Sequence, residues 1–252
     1  MVEHSTVPRA ALFDVGGTLL HPLGDRAAQR KVVLSRLEQR FGPRDWYAAL
    51  LDADLLSELL VDDPAEPLRQ RTLAVLRRWL EGRGAPLDGI DLDELRRRVE
   101  VPREAWAVLA PGARDALVWL RSRGLRVVLV SNTLWTGDDE LRADLPSLGI
   151  DDVVDAVVTS HSVGFRKPHH AIFERAVELA HTSPHEAFMV GDEPYADVVG
   201  PKRIGMRAIW LRLPPPRPHA VGAPRDLRAE PDATIGSLAE IPEVVERWLR
   251  RA

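Results

Sequence analysis

The stretch Ala10-Ala11-Leu12-Phe13-Asp14-Val15-Gly16-Gly17-Thr18 decides how this chain is read. Four apolar residues in a row, halted by a carboxylate and a Gly-Gly pair, read as a buried strand that ends at Asp14 in a tight loop. A carboxylate at a strand end can serve as nucleophile and metal ligand, and bare backbone at Gly16 and Gly17 lets a ligand approach closely. Read alone, Asp-x-Gly-Gly is more often a turn than a site, so the case rests on what accompanies it.

Downstream of Pro111-Gly112, strand and helix alternate. Residues 113–123, 138–148, 171–180 and 196–203 have helical patterns; 125–130, 153–158, 187–190 and 207–211 read as short buried strands. This alternation predicts an α/β fold, a Rossmann-like parallel sheet with helices on both faces, whose ligands gather at the carboxyl ends of the strands. Between the first strand and this block the apolar spacing is helical: Val32, Val33, Leu37; then Leu50, Leu51, Leu55, Leu59; then Leu73, Leu76, Leu80; then Leu92, Leu95, Val99. Breaks at Gly42-Pro43, Asp63-Pro64, residues 82–86 and Pro102 cut it into about four helices, and Asp91 with Glu94 resembles a capping box. The expected organisation is a core of residues 1–21 and 106–252 carrying a mainly α-helical insertion, residues 22–105. A proline-rich stretch, 214–224, forms a stiff connector to a last strand at 233–235 and a closing helix that reaches Trp248.

With 252 residues, 45% hydrophobic and 29% charged, the chain can bury a full core and is neither fibrous nor disordered in composition. A net charge of -4 argues against nucleic acid or an anionic membrane as partner, since either favours a basic face. The run Arg96-Arg97-Arg98 lies among Asp91, Asp93, Glu94 and Glu100 and reads as a solvated helix face. The absence of cysteine excludes disulfides, thiolate metal sites and thiol nucleophiles. No segment reads as a leader or a membrane span, so a cytoplasmic monomer or homodimer is expected.

Three further segments fall at predicted strand ends. Ser131-Asn132-Thr133 offers a hydroxyl and backbone N–H groups that can bind phosphate oxygens, or a simple turn. Lys167, in Gly164-Phe165-Arg166-Lys167-Pro168, can neutralise a phosphate and a carboxylate together, or lie on the surface. Gly191-Asp192-Glu193-Pro194-Tyr195-Ala196-Asp197 can supply oxygen ligands to Mg²⁺ opposite Asp14, or merely cap the next helix. His169-His170 and the tryptophans Trp46, Trp79, Trp106 and Trp119 take structural readings, whereas Trp135 can face the insertion and a substrate, or simply serve packing.

The order and spacing of these four segments resemble the haloacid dehalogenase superfamily, whose signature is Asp-x-Asp-x-Thr, a strand-end Ser or Thr, a Lys, and Gly-Asp followed by a second Asp. The matching positions are Asp14 with Thr18, Ser131, Lys167, and Asp192 with Asp197, and the helical insertion is similar to that family's cap. The resemblance implies a small phosphorylated substrate and attack by Asp14 on phosphorus to give an aspartyl-phosphate that water hydrolyses. It implies Mg²⁺ held by Asp14, the Gly16 carbonyl, Asp192 and Asp197. Ser131, Asn132, Lys167 and Gly17 would bind the phosphoryl group, and Thr18 would stabilise the first loop.

One position departs from the pattern. The family's phosphatases place a second aspartate, the general acid and base, where this chain has Gly16. Three readings follow: a phosphatase whose proton comes from water, Glu193, Asp25 or an undemanding leaving group; a phosphonatase-like or dehalogenase-like hydrolase, the former needing Lys31 as an imine-forming lysine; or a catalytically weak binding or regulatory protein.

Overall fold

The computed structural model describes residues 7–23, 26–44, 47, 66, 68–99, 107–133, 135–213 and 230–250. Its centre is a six-stranded sheet in the order β5-β4-β1-β6-β7-β8. The strands are β1 (Ala10–Phe13), β4 (Arg126–Ser131), β5 (Ala156–Thr159), β6 (Ala187–Gly191), β7 (Arg207–Leu211) and β8 (Ala233–Ile235), and every neighbouring pair is parallel. The first strand lies mid-sheet because its residues are buried on both faces. Ala11 and Phe13 join one apolar cluster with helices Ala113–Ser122, Asp138–Leu148 and Ile241–Arg250, while Ala10 and Leu12 join another with helix His170–Leu179. Continuous apolar strands are the form a parallel sheet takes when helices cover both sides.

The strand order also fixes where a site belongs. The chain leaves β1, adds β4 and β5 on one flank, then returns to add β6, β7 and β8 on the other. Connections diverge on either side of β1, which opens a crevice at its carboxyl end. Asp14 is the first residue beyond that end, and its N–H still donates to the Val190 carbonyl at 2.9 Å.

Boundaries shifted in places. Leu125 closes the preceding helix through Leu120, so β4 starts at Arg126 and runs on to Ser131, which pairs with Thr159. Val153 turns back to Ile150, and β5 begins only at Ala156. The expected helix at 196–203 is a π turn, Tyr195–Val199, running into a short helix, Gly200–Arg203; such local widening of a helix is common at functional sites. A two-stranded antiparallel ribbon, β2 (Leu20–Pro22) with β3 (Ala107–Leu109), was absent from the sequence reading, its strands being too short to show a pattern. It sits where the chain leaves and re-enters the sheet.

Among the described residues the insertion contains helices Arg26–Phe41, Thr72–Glu81 and Leu92–Val99. Asp91 accepts the N–H groups of Asp93 and Glu94, as its capping position predicts. Leu37, Tyr47, Leu76, Trp79, Leu80, Leu92 and Leu95 form their own apolar cluster. The expected helix at 50–59, the breaks at Asp63-Pro64 and Pro102, Trp46, Trp106, Asp25 and the proline-rich connector lie outside the described residues. No helix among those described is long and apolar enough to cross a membrane.

Because Leu12 is fully buried in the central strand, Leu12→Ala should lower unfolding free energy by about 2–5 kcal/mol in urea denaturation. Val118→Ala, at a 43% exposed position, should change it by less than about 0.5 kcal/mol. Equal effects would contradict this assignment of the core.

Candidate active site

Lys167 is the centre of the crevice. Its ammonium donates to Asp14 Oδ1 and to Asp197 Oδ1, both at 2.7 Å, and its side chain is 2% exposed. Three elements meet there: Asp14 follows β1, Lys167 follows helix Ser160–Val163 and its loop, and Asp197 comes from the π turn after β6. Burial alone would lower the lysine's pKa, but the two carboxylates reverse this and hold it above its ordinary value. Burial pushes the Asp197 carboxyl up to about 7; the Lys167 ammonium opposes that push and the Asp14 carboxylate adds to it.

Asp192 completes an acidic group. One carboxylate oxygen from each of Asp14, Asp192 and Asp197 lies within 4.8 Å of the others. Thr18 reaches across from the first loop, its hydroxyl donating to Asp192 Oδ1 at 3.2 Å, and Trp210 Nε1 donates to the Asp192 carbonyl at 3.3 Å. If ionised, these three carboxylates exceed the single ammonium by two charges, and an all-oxygen donor set with that excess suits a hard divalent ion such as Mg²⁺. The donors present therefore fit the metal implied by the sequence resemblance.

The remaining predicted residues divide by position. Ser131 is buried at the end of β4, on the strand next to Asp14. Asn132 clamps Lys167: its Oδ1 accepts the Lys167 N–H at 2.7 Å, and its Nδ2 donates to the Lys167 carbonyl at 3.1 Å. That amide positions the lysine's main chain. Gly17 has φ +96, and its N–H donates to the Leu20 carbonyl at 2.7 Å, which makes it the pivot of the first turn. Gly16 is exposed, and a Cβ added there would meet nothing within 4 Å. Glu193 uses Oε2 to accept the Ala196 N–H at 2.6 Å, capping the π turn. Lys31 is exposed on helix Arg26–Phe41. His169 accepts the Ala171 N–H at 3.2 Å and His170 pairs with Glu174.

Sequence reasoning missed the clamp by Asn132 and the reason for Gly191. A Cβ at Gly191 would lie 2.2 Å from Asp197 Cγ, so only glycine leaves room for the returning carboxylate. The Gly-Asp…Asp spacing contained that signal. Trp135 packs against the apolar cluster of the insertion, joining the loop after β4 to the cap side.

A family model for haloacid dehalogenase-like hydrolases matches residues 8–205. This chain belongs to the haloacid dehalogenase-like hydrolases. It is 33% identical over 141 residues to glyceraldehyde 3-phosphate phosphatase of Pyrococcus furiosus, covering 54% of each chain. It is 34% identical over 180 residues to phosphoserine phosphatase of Thermus thermophilus, covering 70% of this chain and 65% of the relative. The match spans about half the length of the first of these curated relatives. Among solved structures, 2-haloacid dehalogenase from Pseudomonas syringae pv. Tomato is similar with a TM-score of 0.61 at 25% identity, over 96% of this chain and 100% of the other. The Rossmann-like core with a helical insertion is thus the family's fold.

Gly191→Ala should displace Asp197, lower stability by about 1–3 kcal/mol and weaken Mg²⁺ binding in calorimetric titration. Gly16→Ala, with open space around it, should leave Mg²⁺ binding unchanged. Matching behaviour in the two variants would contradict the geometry described.

Proposed function

We propose that this hydrolase is a Mg²⁺-dependent phosphatase of small phosphorylated metabolites, acting through an aspartyl-phosphate on Asp14. The observation that carries the reading is the buried Lys167 ammonium shared by Asp14 and Asp197, with Asp192 closing the carboxylate group. The names of the two curated relatives support a phosphate ester as substrate, without selecting which. In this reading residues 22–105 are a cap over a core of residues 1–21 and 106–252, supported by their separate apolar cluster and by the β2–β3 ribbon at the crossing. A cytoplasmic location belongs to the same proposal.

Lys167 aligns the Asp14 carboxylate and screens its charge as an anionic phosphoryl group approaches. Asp14 then forms a bond to phosphorus while the bond to the leaving oxygen breaks, and water subsequently releases phosphate and regenerates the carboxylate. Ser131, beside Asp14 at the end of β4, donates its hydroxyl to the transferring group. Thr18 holds Asp192 in place from the first loop. Asp14, Asp192, Asp197 and the Gly16 carbonyl would hold Mg²⁺, which when bound would supply charge neutralisation between the two anions. With Gly16 in the acid/base position, proton transfer falls to water, to Glu193 or to a leaving group that needs none. Glu193 caps the π turn through Oε2 while its buried Oε1 has no hydrogen-bond partner among the described residues, so it stays a candidate proton carrier, and retention of Lys167 with both Asp192 and Asp197 favours phosphoryl transfer over dehalogenation.

A panel of phosphate monoesters with Mg²⁺, with a 2-haloacid and phosphonoacetaldehyde as controls, tests this. Turnover of at least one ester is expected, falling by about a thousandfold or more in Asp14→Asn. Mg²⁺ binding without turnover of any ester, or turnover of the haloacid alone, would contradict it. Gly16→Asp, which the open space accommodates, should raise ester turnover by up to about a hundredfold by restoring a positioned acid.

A further inference from the structure

Helix Leu92–Val99 carries an arginine that the proposed chemistry does not use. Arg96 sits in a run of three arginines, yet its side chain is 4% exposed, against 46% and 48% for Arg97 and Arg98. Its guanidinium donates to Asp93 on its own helix and to Glu140, each at 2.8 Å, and also to the main-chain carbonyl of Trp135. The last two acceptors lie across the seam, on the loop that leaves Ser131 and on the helix that follows it. The sequence reading of this run as a solvated face is therefore wrong for Arg96. A guanidinium is buried at such a seam only when its donors are met, and its planar fork can meet three acceptors at once.

The hold passes inward through hydrogen bonds. Glu140 takes Arg96 on Oε1 and the Gly137 N–H, at 2.8 Å, on Oε2, so it fixes the turn that ends the loop. Within the loop, the Thr133 hydroxyl donates to the Thr136 carbonyl at 2.6 Å, and the Thr133 N–H donates to Ser160 Oγ at 3.0 Å. At the loop's start, Asn132 clamps both main-chain groups of Lys167. A second tie ends on the same lysine: residues 68–70 pair antiparallel with 164–166, through Gln70 N–H to the Gly164 carbonyl at 2.8 Å and Arg166 N–H to the Leu68 carbonyl at 2.9 Å. Arg69 lies 4.9 Å over the Phe165 ring.

We propose that Arg96 is a positioning residue: docked across the seam, it fixes the loop 132–137 and, through Asn132, sets Lys167 in the geometry that grips a phosphoryl group. The activity part of its test rests on the phosphatase reading; the structural part does not.

Backbone hydrogen exchange of the wild type, Arg96→Ala, Arg96→Lys and Glu140→Gln, read by peptide, gives the structural part. In Arg96→Ala, exchange should rise about tenfold in 131–140 and in 164–168 and stay unchanged in strand β6, with Arg96→Lys between it and wild type. With p-nitrophenyl phosphate and Mg²⁺, kcat should fall by about 2- to 30-fold, the range of coupling effects carried through side-chain networks, with less change in KM. Unchanged exchange in those two segments, or an equal rise in β6, would overturn the proposal and leave Arg96 a residue of its own helix. If Arg96→Ala does not fold, Glu140→Gln decides by the same criteria, since its one oxygen can still accept from Gly137 while its amide nitrogen, a donor, replaces the charged acceptor that faces Arg96. Exchange as expected with no turnover by the wild type would keep the coupling and reject the phosphatase reading.

Discussion

A buried ammonium between two carboxylates governs this molecule. Lys167 is out of water, so its charge is tolerable only because Asp14 and Asp197 both accept from it at 2.7 Å. At an effective dielectric constant near 20, each such contact is a Coulomb attraction of about 6 kcal/mol before desolvation is subtracted. The converse also holds: three carboxylates with oxygens within 4.8 Å repel one another, and the ammonium offsets only part of that. The site is built to attract more positive charge than it contains.

The fold serves that requirement. Asp14, Lys167 and Asp197 are far apart in sequence and come from different flanks of the sheet. They meet because parallel strands end along one edge and the order reverses beside β1. Small residues make the approach possible: Gly17 turns the first loop back on Leu20, and Gly191 leaves space that Asp197 fills. The helical insertion lies over the same edge, and its contacts with the core are polar at Arg96 and along 68–70.

Much of this was legible in the sequence because it depends on local pattern. The run from Ala10 to Phe13 announced a buried strand, and the alternation after Pro111 announced the parallel sheet. Asp14, Ser131, Lys167, Asp192 and Asp197 could be named because the first, second and fourth stand at strand ends and all five keep a spacing that resembles the family's. What could not be read depended on contacts across long sequence distances. Asn132 looked like a substrate ligand, but its partner is the main chain of Lys167, which no local pattern marks. Arg96 looked solvated beside Arg97 and Arg98, because helical periodicity does not tell which of three adjacent charges faces another element. The π turn at Asp197 read as an ordinary helix because one extra residue in a turn leaves no compositional trace.

In the proposed mechanism Asp14 itself bonds to phosphorus. Rapid acid quenching of the wild type during turnover of a phosphate ester with Mg²⁺, followed by mass spectrometry of its peptides, tests this most directly. A phosphoryl group is expected on the peptide containing Asp14, formed and lost at the rate of turnover and absent from Asp14→Asn. Steady turnover with no phosphorylated Asp14 at any quench time, or with the label on another residue, would contradict it.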